Sequence, residues 1–527
     1  MKKKYFLMCA LAGFMFASCS ENLPDDEGGG TLNPNGESWV SLNIQTTSQR
    51  TKALHPSEID NGLPNESEVK AVRAIFFDAA NKVTVDKTLT LGTEAIPGQS
   101  SGTGGKPFKV PNTSTKVLIV VNPVGLPAIT EGVTEYATIN AAIEGTVSAT
   151  GTGNNIIGDT KEEFMMTNAA GKLEPHVDLE NLELHPTEAA AAAKPAEIAV
   201  DRVSSKVRLY MRDNYTKPAT AWIQEIGWVL NVTNKMYYPV SVREKTAKNT
   251  PTPFDIYGLG SYRIDPNYTN NASLTYDDNY HYYLDQGPAD DAWNLPGDVE
   301  YCLENTQDAN DNVHAYTTHV IFKAQFTPKS FTNAGSLPAE EYTEEEAKTL
   351  NWIRIGSGHY TFTTLLNHIE EEMASFYGNT GVTPTRTNAL SDFLVANGLS
   401  KIDTTVFSGT YTEKAEALKN AINGRKDEIE ALAGKMYGTF NYYKAGVSFY
   451  KIMIKHDNDD DPGFMNQLGE FGVVRNSVYD LTITSITNPG YPEIPKPDET
   501  KDEDDEGWIS IQININPWTW YTQEVPL

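Results

Sequence analysis

The chain has few of the residues from which metal, redox and nucleic-acid sites are made. Three cysteines in 527 residues, Cys9, Cys19 and Cys302, are too few and too scattered for a zinc ribbon, a CxxC redox pair or a disulfide framework. Basic side chains are also scarce: 42 Lys and Arg stand against 70 Asp and Glu, giving a net charge of −28, which excludes a nucleic-acid partner held by phosphate neutralisation. No HExxH occurs, so a zinc protease is unsupported; Gly98-Gln99-Ser100-Ser101-Gly102 spells GxSxG, but Pro97 before it and Thr103-Gly104-Gly105-Lys106-Pro107 after it leave no strand-to-helix elbow, so an α/β-hydrolase nucleophile is unsupported too, and His314 and His319 read as ordinary polar residues. The stretch Ser101 to Pro107 fails as a phosphate loop, because Ser100 stands where the first glycine belongs and Pro107 where Ser or Thr would bind magnesium; it reads as a turn. The acidic run Asp457 to Gly463 fails as an EF-hand, because Pro462 takes the glycine position and Leu468 that of the bidentate glutamate. The residues therefore imply no enzyme, no cofactor and no metal.

What is present begins with an export signal. Lys2, Lys3 and Lys4 precede an apolar run from Tyr5 to Phe16 that is too short to span a membrane with ordinary flanks, and Ala17 and Ser18 end it. Phe16-Ala17-Ser18-Cys19 resembles a bacterial lipobox, with Phe16 replacing the usual leucine, which implies a signal peptide over 1–18 and a lipid on Cys19. The acidic, Gly-rich stretch Ser20 to Pro34 then suits a tether. Cys302 is left as a small core residue.

Beyond the tether, Trp39-Val40-Ser41-Leu42-Asn43-Ile44-Gln45 alternates as a half-buried strand with Val40, Leu42 and Ile44 on one face. Strand patterns recur at 69–77, 116–121, 164–167, 198–211, 222–232, 440–443, 447–455 and 473–483. No regular alternation with helices occurs, so an all-β fold of antiparallel β-sandwiches is expected. The Ala run after Glu188, between Pro186 and Pro195, divides a first domain (51–194) from a second (195–490). A helical pattern over about 361–434, clearest where Thr410 and Glu413 fit a capping box ahead of a Leu418, Ile422, Ile429 and Leu432 stripe, predicts an insertion in the second domain. Asn488 to Glu506 is Pro-rich and then acidic; it reads as a connector outside any core, with 491–507 as linker.

The connector delivers Trp508-Ile509-Ser510-Ile511-Gln512-Ile513-Asn514-Ile515-Asn516, whose WISIQIN repeats the WVSLNIQ of the first strand. Arg50 lies just past that first strand in an exposed polar stretch of the kind that proteases cut. Cleavage between Arg50 and Thr51 would detach the lipid and the strand together, removing residues 19–50 and leaving an apolar groove with unpaired backbone groups. A strand of matching pattern from another copy can fill such a groove. The candidate donor is 508–527, with Ile509, Ile511, Ile513 and Ile515 as apolar anchors and Trp508, Trp518 and Trp520 as aromatic ones. Burying four isoleucines at roughly 1.5–3 kcal/mol each would supply about 6–12 kcal/mol before ordering costs. Donor and groove sit on different parts of the chain, so the contact is head-to-tail and builds an open filament.

Cys19, FMMT at Phe164 to Thr167, DRVSSKVRL at Asp201 to Leu209, VVRNSVYDLTITSI at Val473 to Ile486 and the NPW-containing tail from Asn516 together give the chain a resemblance to the fimbrillins. These are the major stalk subunits of the type V pili of Bacteroidetes, here of the short-fimbriae kind. The resemblance implies two transthyretin-like β-sandwich domains and a lipoprotein precursor carried to the outer membrane. It further implies cleavage by an arginine-specific or trypsin-like protease at Arg50, release of Trp39 to Thr46 as the displaced strand, and polymerisation through the C-terminal strand into an extracellular fimbria serving adhesion or biofilm formation. The partners implied are further copies of the chain, anchor and tip subunits, that protease, and the membrane through the precursor's lipid. The helical insertion has no counterpart in this pattern. Two other readings stay open: an accessory or tip subunit, and an outer-membrane lipoprotein binding glycans on Trp222, Trp293 or Trp352, which would keep Cys19 and need no C-terminal strand.

Overall fold

The computed structural model describes residues 36–46, 62–98, 102–147, 153–169, 182–243, 263–268, 279–282, 293–307, 313–368, 436–437, 440–456, 471–496 and 509–517. Within them the fold is all-β. The first core is built on a six-stranded sheet in the order β2 (Leu42–Thr46), β8 (Ala196–Arg202), β7 (Met166–Asn168), β6 (Lys116–Val121), β3 (Val72–Phe77) and β4 (Val83–Thr88). Beside it β1 (Glu37–Val40) pairs with β5 (Phe108–Pro111). The apolar runs of β3 and β6 explain the centre of this sheet, since Ile75, Phe76, Leu118 and Ile119 are all fully buried. The second core lies between a four-stranded sheet and a three-stranded one. The former runs β11 (Val299–Leu303), β9 (Ser204–Thr216), β16 (Ser477–Ile486), β17 (Ile509–Pro517); the latter runs β10 (Ala221–Asn231), β12 (His319–Pro328), β15 (Val447–Met453), and a separate pair joins β13 (Trp352–Ile355) to β14 (Phe440–Tyr443). Two pairings, β2 with β8 and β9 with β16, are parallel.

Several expectations change. The run 198–211 is not one strand but the end of β8 and the start of β9, in different sheets, with the break at Val203, whose N–H is donated to Met165 O. The chain thus passes from the first sheet to the second at 203, whereas the Ala run is a short helix (Glu188–Ala193) capped by Thr187 ahead of β8. The connector is not wholly outside the core. Tyr450 and Tyr443 donate their hydroxyls to Asn488 O and Gly490 O (2.9 Å each), Tyr491 pairs with Phe449, and Ile494 is buried against Val229 and Ile321, so 488–494 is fastened to the outer face of the three-stranded sheet. A helix does begin at 362, where Thr361 Oγ1 accepts the Thr364 N–H, but the remainder of the expected insertion, Thr410 and Glu413 included, lies outside the described residues. The run 457–463 lies outside them as well.

The two cores meet around buried charge. Lys206 Nζ on β9 lies 2.8 Å from Glu66 Oε1, both side chains being almost wholly inaccessible; Tyr301 donates its hydroxyl to the same oxygen at 2.7 Å, and the Leu63 N–H is donated to Oε2 at 2.7 Å. The Arg202 guanidinium donates to Glu66 O. Just before β16, Arg475 donates through Nε to Glu304 Oε2 (3.0 Å) and through Nη2 to Tyr238 O (2.9 Å), while Asn476, at φ 59°, accepts the Arg202 N–H and donates its own to Ser204 O. Left-handed backbone is tolerated by Asn far better than by branched residues, which accounts for Asn at this corner. Tyr479 completes the VVRN-x-x-Y motif by accepting the Val474 N–H at 2.8 Å and pairing with His456 Nδ1 at 2.7 Å. Asp201 pairs with Arg263, and burial pushes the Asp201 carboxyl upward against that charge.

Removing one partner of such a pair strands the other in a dry site, which typically costs about 3–5 kcal/mol. Lys206→Met is therefore expected to destabilise the chain by roughly that amount, read from urea unfolding; a loss within error of zero would show that the junction does not depend on this pair. His456 gives a pH signature. Burial, helped by the Arg263 charge, depresses its imidazole to about 3 from 6.5, so the folded chain keeps it neutral while the unfolded chain takes up a proton below 6.5. Its contribution is present above pH 6.5 and is lost as pH falls towards 3, an effect on the order of a few kcal/mol. His456→Gln should flatten the stability profile across that window, and an unchanged slope would assign the acid loss to other groups.

The candidate strand-exchange site

The two segments singled out by the sequence occupy different seats. Val40, Leu42 and Ile44 are each 1% exposed and belong to the first core; Trp39, half-buried, exchanges backbone hydrogen bonds with His185 and lies under Lys109. The chain switches partner at Ser41. Residues 37–40 pair with β5, whereas Ser41 O accepts the Ala196 N–H and β2 then runs parallel to β8 with Leu42 opposite Ala196 and Ile44 opposite Ile198.

β2 ends the sheet order but its outer side is not bare. The Gly105 and Gly98 N–H groups are donated to Leu42 O and Ile44 O, at 3.0 Å each, and the Gly102 N–H is donated to Glu197 Oε1 on β8 at 2.7 Å. The Gly-rich segment that fails as a phosphate loop is thus a strap tied across β2 to the next strand. Ser41 and Asn43, on the face opposite Leu42 and Ile44, are also only 1% exposed. The slot is closed on both faces and both edges.

Among the described residues β17 sits instead at the edge of the four-stranded sheet, antiparallel to its own β16, with Ile511 opposite Ile483 and Ile513 opposite Leu481. Ile513 is buried in the second core and Ile511 packs against it, while Ser510 and Gln512 face out, Gln512 accepting a hydrogen bond from Arg212. The pairing places Ile509 opposite Ile486 and Ile515 opposite Tyr479. Cys19, Arg50, Thr51, Trp508, Trp518 and Trp520 lie outside the described residues.

The remaining candidates are structural. Trp352 is fully buried, stacked on Tyr443 at 4.1 Å between centroids. Trp222 and Trp293 are covered by Lys329 and Lys323. Cys302 is buried in the second core, and burial drives its thiol upward, away from the reactive thiolate. His319 is buried between Asn231 and Thr317 O. Among the described residues no group of three metal-ligating side chains occurs, and no helix is long and apolar enough to cross a membrane. Sequence reasoning missed the strap and the junction ions; the run of glycines at 102, 104 and 105 was the available signal for the former.

Residues 441–524, which contain β15, β16 and β17, match the family model of the C-terminal region of the type IV major fimbrial subunit proteins, the fimbrillins. That match supports a structural role in a fimbria at the cell surface. No curated protein matches the chain. Among solved structures the chain is similar to a candidate cell adhesion protein of Bacteroides eggerthii (10% identity, TM-score 0.39, covering 93% of this chain and 98% of that one). It is also similar to the tip fimbrial protein Mfa3 of Porphyromonas gingivalis (11%, 0.29, 92% and 100%) and the anchor protein Mfa2 of the same organism (12%, 0.21, 39% and 62%).

Because β17 holds one edge only, Ile513→Asp should release it without unfolding the cores. Hydrogen exchange is expected to lose protection at 509–517 and to keep it in β3 and β6; protection lost throughout would show β17 to be integral to its own fold.

Proposed function

Taking the chain as a fimbrillin-type fimbrial protein by its residues 441–524, we propose that it is a structural subunit of a cell-surface fimbria that polymerises by strand exchange. It is exported as a lipoprotein acylated at Cys19 and cut after Arg50. The cut frees residues up to Arg50, and with them β1 and β2, whose slot then receives the C-terminal strand of another copy. The chain divides into two sandwich domains that meet at Val203, with 508–527 as the exchanged appendage and the residues before it as the linker that leads to it. It performs no catalysis and takes no cofactor. Its partners are further copies, anchor and tip subunits, and an arginine-specific or trypsin-like protease.

One observation carries this reading: the chain holds a strand, β17, that is linked to the body through residues 497–508 and repeats the pattern of the strand that fills a closed slot elsewhere. Twelve residues span up to about 40 Å when extended, enough to pass a strand to a neighbour.

Thr482 and Gln512 face each other across β16 and β17, so the double substitution Thr482→Cys with Gln512→Cys should close a disulfide that holds β17 at home. After cleavage by an arginine-specific protease, the oxidised precursor is expected to stay monomeric and the reduced one to grow filaments in negative-stain images, with Thr51 as the new N-terminus. Arg50→Ala should remain unpolymerised in either state. Filaments from the oxidised double variant would remove β17 from the mechanism.

A further inference from the structure

The repeat between the two segments is longer than the strand core. Residues 37–45 read Glu-Ser-Trp-Val-Ser-Leu-Asn-Ile-Gln and residues 506–514 read Glu-Gly-Trp-Ile-Ser-Ile-Gln-Ile-Asn: Glu, Trp, Ser and one Ile are identical in place, and Gly507 stands where Ser38 is 2% exposed. Alternation alone explains the apolar positions. It does not explain why a serine recurs two residues after each tryptophan, on the polar face where any hydrophilic residue would serve.

The slot explains it. Ser41 is 1% exposed and donates its hydroxyl to Gly105 O at 2.7 Å. Gly104 is pressed so closely over it that a Cβ on that glycine would overlap both Ser41 Oγ and Pro195 Cβ. The seat therefore takes a side chain of serine's size with a hydroxyl to satisfy Gly105, and nothing longer. At home the corresponding Ser510 faces solvent opposite Ser485, where neither its size nor its hydroxyl is needed.

Resting on the strand-exchange reading above, we propose that Ser510 is the register-determining residue of the donor strand: in a neighbouring copy it takes the Ser41 seat beneath Gly104 and donates to Gly105 O. This fixes the rest of the alignment. Ile511 and Ile513 take the places of Leu42 and Ile44 opposite Ala196 and Ile198, the donor runs parallel to β8, and Trp508 falls where Trp39 was. A slip by one residue would press isoleucine under the strap and turn Ser510 and Gln512 into the apolar core.

The test compares fibre growth from cleaved precursor with monomer stability. Ser510→Leu is expected to leave urea unfolding of the precursor unchanged, since the position is exposed at home, and to slow fibre growth by at least about tenfold, since the seat is closed. Ser510→Ala, which fits but cannot donate, is expected to slow growth by about fivefold. A synthetic peptide of residues 506–517 should cap growth of the wild-type fibre, and the same peptide carrying Ser510→Leu should not. Wild-type growth from Ser510→Leu, with the oxidised disulfide lock between positions 482 and 512 still blocking assembly, would overturn the register while leaving strand exchange standing. Growth from both would overturn the strand-exchange reading itself.

Discussion

Glu66 and Lys206 are charges that cannot stay buried unless they stay together, and that requirement couples the halves of the molecule. Glu66 belongs to the segment preceding β3 in the first core, whereas Lys206 starts the longest strand of the second. Four groups converge on the Glu66 carboxylate and its carbonyl, from Lys206, Tyr301, Leu63 and Arg202. Arg475 and Asn476 repeat the arrangement from the other side of β9, tying Glu304, Tyr238 and Arg202 to the start of β16. An ion pair in a dry site adds little net stability over a well-packed apolar pair, but it penalises any geometry that separates the partners. The junction acts through specificity: it sets where β16 begins, and β16 is the strand on which β17 rests.

This also explains which features could be read from the sequence. Period-two alternation exposed β2, β16 and β17 because each presents one apolar face to a core, while β6 was legible as a short apolar run, buried along its length. It could not show that residues 198–211 change sheets, since Ile198, Val200, Val207 and Leu209 point into cores on both sides of a break made by backbone bonds at Val203 and Asn476. Nor could it find the junction, because Glu66, Lys206 and Arg475 look like surface residues until long-range contacts bury them. The stretch 488–494 misled for the same reason in reverse: proline and polar neighbours disguise Ile494, whose burial depends on a sheet formed by residues far along the chain. The segments 37–46 and 509–517 were legible as strands of matching pattern. What distinguishes their seats was not, because the strap over β2 is made of glycine backbone, which carries no hydrophobic pattern.

The difference between those seats bears on the direction of the proposed exchange. At home, among the described residues, β17 is paired along one edge, with Ile513 buried and Ser510 and Gln512 exposed. The β2 slot offers β8 on one edge, Gly98 and Gly105 on the other, and cover for both faces. A strand that moves from home to slot gains the second edge's hydrogen bonds, each worth about 1 kcal/mol net, and cover for its polar face, while Ile513 stays buried in either place. It gives up the contacts with Leu481 and Ile483, which is why the home seat can hold the strand until a slot opens. Before cleavage no slot is open, since β2 fills it within the same chain at an effective concentration no separate copy can match. In this scheme the protease supplies no energy to the fibre. It removes the intramolecular competitor, after which the better of two seats for the same strand lies in the next copy, and each copy that joins brings a further open slot with it.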